Sequence, residues 1–129
     1  ATGDLSRPWT ERQLIKKPFI WLSGEDATAV AYNIGGGTGC ISVTANVAPK
    51  LVAEVQNLTA AGKWEEAREL QDKLIPLHQA MFAEPSPAGA KYAASLLGLC
   101  RDECRVPIMP LSDATKQRIR EVMQQLELI

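Results

Sequence analysis

Two short polar stretches hold the side chains whose types and positions suit them to chemistry. Residues 23–26, Ser-Gly-Glu-Asp, follow one short apolar run. Residues 41–46, Ile-Ser-Val-Thr-Ala-Asn, begin inside a second predicted strand and continue into the loop after it. Loops after parallel strands face the ligand in α/β barrels and open α/β sheets. The two carboxylates of the first stretch, with Thr44 and Asn46 of the second, are therefore candidates for substrate contacts. Spacing alone leaves a plainer alternative equally open, in which these polar residues cap a helix and terminate a strand.

The elements that must position these stretches form a strand–helix–strand unit. Residues 19–22, Phe-Ile-Trp-Leu, lie between Pro18 and a Ser-Gly pair, a pattern typical of a parallel strand buried on both faces. Residues 26–34 then have a helical pattern, and three glycines at 35–37 end it. A second short strand is predicted at residues 39–43. This order indicates a βαβ unit with a right-handed connection.

The remainder of the chain is predicted to be mostly helical. Pro8 could begin a first short helix, which Pro18 would stop. Pro76 lies inside the pattern of a long helix and is expected to kink it. Ser112 is a credible N-cap of the last helix. The helices predicted after the strands cover residues 51–60, 64–82, 88–99 and 113–126.

The resulting organisation is lopsided, because two strands come first and helices follow. Two parallel strands alone leave unpaired backbone groups on both edges, so further structure is expected on the N-terminal side. The sequence also starts at Ala1 without a methionine, which fits a processed terminus or a piece of a longer protein.

Two other motifs are better explained by structure than by chemistry. The glycines at residues 35–37 and 39 follow a helix and precede a strand, whereas nucleotide loops have the reverse order, so a tight turn is expected. Cys100 and Cys104 are four residues apart, but a zinc site needs about four ligands and the single histidine, His78, lies in another helix. No metal site is predicted, and His78 is interpreted as a packed or surface residue rather than a catalytic one.

Composition narrows the class of protein. Apolar residues make up 46% and charged residues 22%, and the net charge of −1 comes with no basic face, which argues against a nucleic-acid partner. No apolar stretch approaches the roughly 20 residues that would span a membrane. No secretory signal is visible and three cysteines suggest no disulfide framework, so a cytoplasmic location is expected.

Several stretches together resemble the dihydrodipicolinate synthase family of pyruvate-dependent lyases and aldolases. The resemblance covers nearly the whole chain and is most specific at residues 41–47, where the related sialic-acid lyases diverge. The stretches that carry it are ATGDL at residues 1–5, LSGEDA at 22–27, GCISVTANV at 39–47, PLH at 76–78, and FAEP at 82–85 followed by Lys91.

The resemblance implies an α/β fold, the C-terminal part of a (β/α)8 TIM barrel. Residues 19–22 and 39–43 would be strands seven and eight, and strands one to six would lie upstream. Residues 1–62 would complete the barrel portion, and residues 63–129 would form an appended C-terminal helical bundle. The family usually forms homotetramers, so the implied partners include other copies of the protein and the missing N-terminal half of the barrel.

The family's catalytic lysine lies in the motif Gly-Ile-Lys-Glu-Ala-Thr-Gly, whose tail matches the first three residues. The lysine would stand two places before Ala1, so no catalytic residue is expected in this chain and the chain alone is expected to be inactive. The resemblance implies substrate contacts from Gly24 and Glu25, which approach the aldehyde, and from the backbone carbonyl of Ile41. Glu25 stands where many relatives have Asp, and Cys40 where many have Val.

The implied activity is that of a 4-hydroxy-tetrahydrodipicolinate synthase, a lyase of lysine and diaminopimelate biosynthesis. A lysine amine would form a Schiff base with pyruvate, which would then condense with aspartate semialdehyde, and no cofactor is implied. Two alternatives stay open. Another pyruvate-dependent aldolase would share the barrel but take a different aldehyde, and a non-catalytic helical oligomerisation module would need no site.

Overall fold

The computed structural model describes residues 2–129, which are mostly helical and contain one pair of short parallel strands. The strands are β1 (Leu22–Ser23) and β2 (Gly39–Cys40), and Thr44–Asn46 form one turn of 3-10 helix. The helices are α1 (Arg7–Leu14), α2 (Ala29–Ile34), α3 (Pro49–Ala60), α4 (Trp64–Met81), α5 (Ala88–Leu96) and α6 (Asp113–Gln125).

The predicted strand–helix–strand unit is present as β1, α2 and β2. The strands pair in parallel, with Leu22 opposite Gly39 and Ser23 opposite Cys40. Gly36 has a φ of +92°, a conformation that favours glycine, so the glycine run makes the turn from α2 into β2. The tight-turn interpretation of these glycines is thus confirmed.

The strands are shorter than predicted, and the first is not buried on both faces. Phe19 and Ile20 precede β1 and are 54% and 74% exposed, and Leu22 within β1 is 46% exposed. A ladder extends only where a neighbouring strand offers partners, and within residues 2–129 β1 and β2 have only each other. The prediction of a fully buried strand was therefore wrong for these residues taken alone.

Helix α1 is attached to the strand unit through one arginine. The guanidinium of Arg12 lies over the rings of Trp9 and Trp21, with its carbon 4.7 Å and 5.6 Å from the two centroids. The same guanidinium donates a hydrogen bond to the carbonyl of Gly35. Cation–π contacts of this kind stabilise by about 0.5–2 kcal/mol. Arg12 thereby links α1, the segment before β1 and the glycine turn.

Helices α4, α5 and α6 pack into a bundle with a closed apolar core. Helix α4 continues through Pro76, so the proline does not end it, and the kink expected there stays a prediction. The side chain of Ser112 accepts a hydrogen bond from the N–H of Thr115, which confirms the predicted N-cap of α6. The largest fully buried side chains of the bundle are Leu74, Leu77, Met81, Ile119 and Met123.

The strand unit and the bundle share part of their packing. A second cluster of buried residues combines Val30 of α2 and Val55 of α3 with Ala67 and Leu74 of α4. Gly62, with a φ of +72°, makes the turn between α3 and α4. Among residues 2–129, no helix has the length and apolar character needed to cross a membrane.

Candidate functional site

The two loops that follow the strands lie side by side. The β1–α2 loop (residues 24–28) carries Gly24 and Glu25, and the β2 exit loop (residues 41–43) carries Ile41. The N–H of Ile41 donates to the carbonyl of Ser23 at 2.7 Å, so the second loop starts against the end of β1. Because the two strands are parallel, their carboxyl ends lie at the same end of the strand pair. The structure thus brings the three residues singled out by the resemblance to that end.

Local hydrogen bonds fix the shape of the β1–α2 loop. The hydroxyl of Ser23 accepts from the N–H of Glu25 at 3.0 Å, and the Glu25 carboxylate accepts from the N–H of Ala27 at 3.3 Å. The N-cap residue of α2 is Thr28, and no side chain makes a cap hydrogen bond there. Capping of α2 by Ser23 or Asp26, the plainer alternative for this stretch, is therefore wrong.

Asp26 joins the two loops, and sequence reasoning had not assigned it this role. Its carboxylate accepts from the backbone N–H groups of Val43 at 2.8 Å and Thr44 at 3.3 Å, and from the hydroxyl of Ser42. Asp26 is only 4% exposed. Three donors from the second loop thus converge on one buried carboxylate. The only signal in the sequence was a pair of polar stretches after two strands, and that signal does not show which side chain binds which backbone group.

The second loop is also anchored to α4. The hydroxyl of Thr44 lies 2.7 Å from Nδ1 of His78, and both residues are buried. The side-chain amide of Gln71 donates to the backbone carbonyl of Asp26 at 2.8 Å. Thr44 is therefore part of the interior and not the exposed substrate contact that its sequence position suggested. Of the two alternatives predicted for His78, packed or surface, the structure shows the packed one.

Burial dominates the electrostatics of His78. It lowers the pKa of the imidazole below its ordinary value of 6.5, and the nearby carboxylates of Asp26 and Glu25 oppose part of that shift. A buried imidazole that stays neutral can accept or donate one hydrogen bond at each ring nitrogen. The short contact with Thr44 therefore orients the ring.

The three residues singled out by the resemblance differ in their surroundings. Gly24 and Glu25 are half-buried and line a cavity of about 250 Å³, whereas Ile41 is 72% exposed and does not line it. Within residues 2–129 the carbonyl of Ile41 accepts no hydrogen bond. That carbonyl is therefore free to accept a hydrogen bond from a ligand or from further protein.

The thiols and potential metal ligands offer no second site among the described residues. Burial, with a smaller effect from the negative charge of Asp26, raises the pKa of the Cys40 thiol to about 11. A thiol with so high a pKa is a poor nucleophile at neutral pH. Among residues 2–129, no three His, Cys, Asp or Glu side chains are grouped to hold a metal ion.

None of the seven lysines of the sequence has the environment of a Schiff-base lysine. An amine that attacks a ketone at neutral pH is activated by desolvation, which requires burial. Lys91 and Lys116 are half-buried, and their ammonium groups bind the Glu103 carbonyl and the Asp102 carboxylate, respectively. The five remaining lysines are exposed: Lys16, Lys17, Lys50, Lys63 and Lys73.

The parallel strand pair with its helices places the chain among α/β proteins, and comparison with known proteins narrows this further. The profile of the dihydrodipicolinate synthetase family matches residues 1–126. The chain belongs to this family. A 4-hydroxy-tetrahydrodipicolinate synthase of Cereibacter sphaeroides is 54% identical over 129 residues, an alignment that covers 100% of this chain and 44% of the relative.

Solved structures show the same relationship. Dihydrodipicolinate synthase from Thermotoga maritima superposes with a TM-score of 0.94 at 33% identity, over 100% of this chain and 45% of that one. The chloride-inhibited enzyme from Acinetobacter baumannii, solved in complex with pyruvate, gives 0.91 at 32% identity, over 100% and 44%. These relatives are TIM-barrel enzymes. The chain therefore spans less than half the length of the relatives it matches.

Proposed function

We propose that this chain is the C-terminal part of a 4-hydroxy-tetrahydrodipicolinate synthase, which condenses pyruvate with aspartate semialdehyde. Its strands β1 and β2 act as strands seven and eight of a (β/α)8 barrel. Residues 1–62 complete that barrel, and residues 63–129 form the helical extension behind it. The observation that carries the proposal is the full-length match to relatives more than twice as long.

The exposed apolar side chains beside the strands support a barrel completed by other residues. Phe19, Ile20 and Leu22 flank or lie in β1, and Ile41 follows β2. Burying a side chain of this kind stabilises a fold by about 1.5–3 kcal/mol. Neighbouring strands and helices supplied by the remainder of the barrel would cover them. The same neighbours would pair with the open edges of β1 and β2.

Gly24, Glu25 and Ile41 then form one wall of the substrate pocket. Glycine at position 24 leaves room for an aldehyde substrate to approach the backbone, and the Glu25 carboxylate borders that space. The carbonyl of Ile41, which accepts no hydrogen bond within residues 2–129, accepts one from the pyruvate-derived part of the intermediate. Their common position at the carboxyl ends of parallel strands supports these roles.

The covalent chemistry belongs to a lysine outside this chain. In the proposed reaction the lysine amine adds to the pyruvate ketone and water leaves, which gives an imine. Loss of a methyl proton gives an enamine, whose carbon bonds to the aldehyde carbon of aspartate semialdehyde. Cyclisation through the semialdehyde's amine then displaces the lysine. The absence of a buried lysine among residues 2–129 supports this assignment, and the chain alone is inactive.

Charge within the cavity supports a further contribution from outside the chain. Its lining includes the carboxylates of Asp4, Glu11 and Glu25 against the single guanidinium of Arg7, which is already paired with Glu11. Both substrates are carboxylates, so a cation from the remainder of the barrel has to bind them.

We further propose that the complete protein is a cytoplasmic homotetramer that uses no cofactor.

Trapping with borohydride tests the proposal. The complete protein is incubated with pyruvate and sodium borohydride, digested and analysed by mass spectrometry, beside the 129-residue chain treated identically. We expect a reduced pyruvate adduct on a lysine outside these residues and no adduct on the isolated chain. An adduct on Lys91 or any other lysine of the chain would contradict the proposal. Rates with a panel of aldehydes separate this synthase from other pyruvate aldolases.

A further inference from the structure

The buried carboxylate of Asp26 takes no part in the proposed chemistry. It is 4% exposed, and none of the ion pairs among residues 2–129 includes it. Placing an unpaired charge in the interior is costly unless hydrogen bonds compensate for it. Here the compensation comes from the hydroxyl of Ser42 and the N–H groups of Val43 and Thr44.

All three donors come from the segment directly after Ile41. Asp26 itself directly follows Glu25. The carboxylate therefore connects the residue after Glu25 with the residues after Ile41, and so joins the two loops of the proposed pocket wall across 16 to 18 positions of sequence. Moving either loop relative to its neighbour would break hydrogen bonds to a buried charge, which are stronger than neutral ones.

The connection is also fixed to the helical bundle. Gln71 of α4 donates to the backbone carbonyl of Asp26, and His78, two turns further along the same helix, contacts the hydroxyl of Thr44. All four residues are buried. Helix α4 thus holds both ends of the connection, so the two loops are attached to one rigid element.

We infer that Asp26 is a positioning residue, whose carboxylate sets the distance between the Gly24–Glu25 backbone and the carbonyl of Ile41. The inference rests on the proposed function, since it assigns Asp26 no contact with substrate. It predicts that loss of the carboxylate displaces the acceptor carbonyl without removing any group that reacts. Displacements of about 1 Å in such geometry cost up to about a hundredfold in rate.

The test compares graded variants of the complete protein. Asp26→Ala removes every acceptor, Asp26→Asn keeps one oxygen and the shape, and Ser42→Ala removes a single donor. We expect kcat/KM to fall by about a hundredfold for Asp26→Ala and by about tenfold for Asp26→Asn, with the smallest loss for Ser42→Ala. The loss should appear in kcat and in the KM for pyruvate, because the Ile41 carbonyl binds its part of the intermediate.

A matched control separates positioning from stability. Thr59→Val removes a buried hydroxyl that accepts from Asn33 at 2.9 Å, between α2 and α3 and away from both loops. It should lower the thermal midpoint while leaving kcat and KM unchanged at a temperature where the protein is folded. If Thr59→Val lowers kcat/KM as much as Asp26→Asn, or if Asp26→Asn and Ser42→Ala both keep wild-type kinetics, the inference is overturned.

Amide hydrogen exchange tests the role of Asp26 without relying on enzyme activity. It also does not require that the Asp26→Ala variant folds. In Ser42→Ala, the amides of Val43 and Thr44 should exchange faster than in wild type, whereas those of α6 should not change. Unchanged exchange at both amides overturns the inference. A complete wild-type protein without synthase activity counts against the proposed function alone, because the exchange measurement still reports whether Asp26 holds the β2 exit loop.

Discussion

The strand region (residues 19–43) and the helical bundle of α4, α5 and α6 bury their apolar residues to very different extents. In the bundle, Leu77, Ile119 and Met123 have no exposed surface, whereas Phe19 and Ile20 of the strand region are more than half exposed. A helix can satisfy its backbone internally and needs only one covered stripe, but a parallel strand needs neighbours on both edges and both faces. Within residues 2–129, therefore, the bundle has a closed apolar core, whereas the apolar side chains that flank β1 are left uncovered.

The largest effect that sharpens this comparison comes from core truncation. Leu77→Ala should destabilise the 129-residue chain by about 2–5 kcal/mol, because it leaves a cavity in a closed core. Ile20→Ala should change it by less than about 0.5 kcal/mol, because the side chain is 74% exposed. Urea unfolding followed by circular dichroism measures both. Equal losses in the two variants would mean that Ile20 is buried in this chain, which would contradict the difference in burial between the two regions. In the complete protein, where further strands would cover Ile20, Ile20→Ala should lower the free energy of unfolding clearly.

A smaller loss is expected where a buried hydrogen bond attaches the turn directly after the strand region to the bundle. Thr44→Val keeps the shape of the side chain but leaves Nδ1 of His78 without its partner. An unsatisfied buried polar group costs about 1–3 kcal/mol. Thr38→Val is the matched control, since its hydroxyl is exposed and donates only a 3.3 Å hydrogen bond to Trp21. The same urea titration should give a clear loss for the first variant and almost none for the second.

Within the bundle, the N-cap of α6 provides a smaller effect. Ser112→Ala removes the hydroxyl that accepts from the N–H of Thr115 and donates to the carboxylate of Glu84. The expected loss is about 1 kcal/mol, typical of N-cap serines. Ser112→Thr, which keeps a hydroxyl able to accept from Thr115 and to donate to Glu84, should recover most of it. A thermal midpoint that is unchanged in Ser112→Ala would show that α6 does not depend on this cap.

The weakest effect is a pH dependence confined to the range of the single histidine. Burial lowers the pKa of His78 below 6.5, so the unfolded chain binds a proton at higher pH than the folded chain does. Stability is therefore complete above pH 6.5 and falls as the pH drops through that value towards the folded pKa. His78→Gln should reduce this slope in unfolding measured between about pH 5 and 8. A steeper slope in the variant would reverse the sign of the argument.

The sequence predicted the order of elements well where the signal was local. A short apolar run, a helical pattern and three glycines specified β1, α2 and the turn into β2, and Ser112 marked the start of α6. These features depend on residues that are neighbours in the chain, and they are the kind that periodicity and turn chemistry can report.

The extent of burial and the connections of the site could not be predicted in the same way. The run at residues 19–22 looked buried because its composition suits an interior, but exposure depends on neighbours that the run does not contain. Asp26 reaches partners 16 to 18 residues away, and the Gln71 amide that binds its carbonyl is 45 residues away. Nothing in the local pattern distinguishes such a carboxylate from a helix cap. The roles of Gly24, Glu25 and Ile41 stay predictions.

The tryptophans give the molecule a built-in spectroscopic readout. Two of the three, Trp9 and Trp21, flank the Arg12 guanidinium, whereas Trp64 opens α4 and lines a small cavity with Asn33, Gly37 and Thr38. Indole emission responds to nearby charge and to water, so the arginine contacts distinguish the first pair from Trp64. Replacing Trp64 with phenylalanine would leave a fluorescence signal from the pair around Arg12 alone. Docking of the remainder of the barrel could then be followed in real time without any added label.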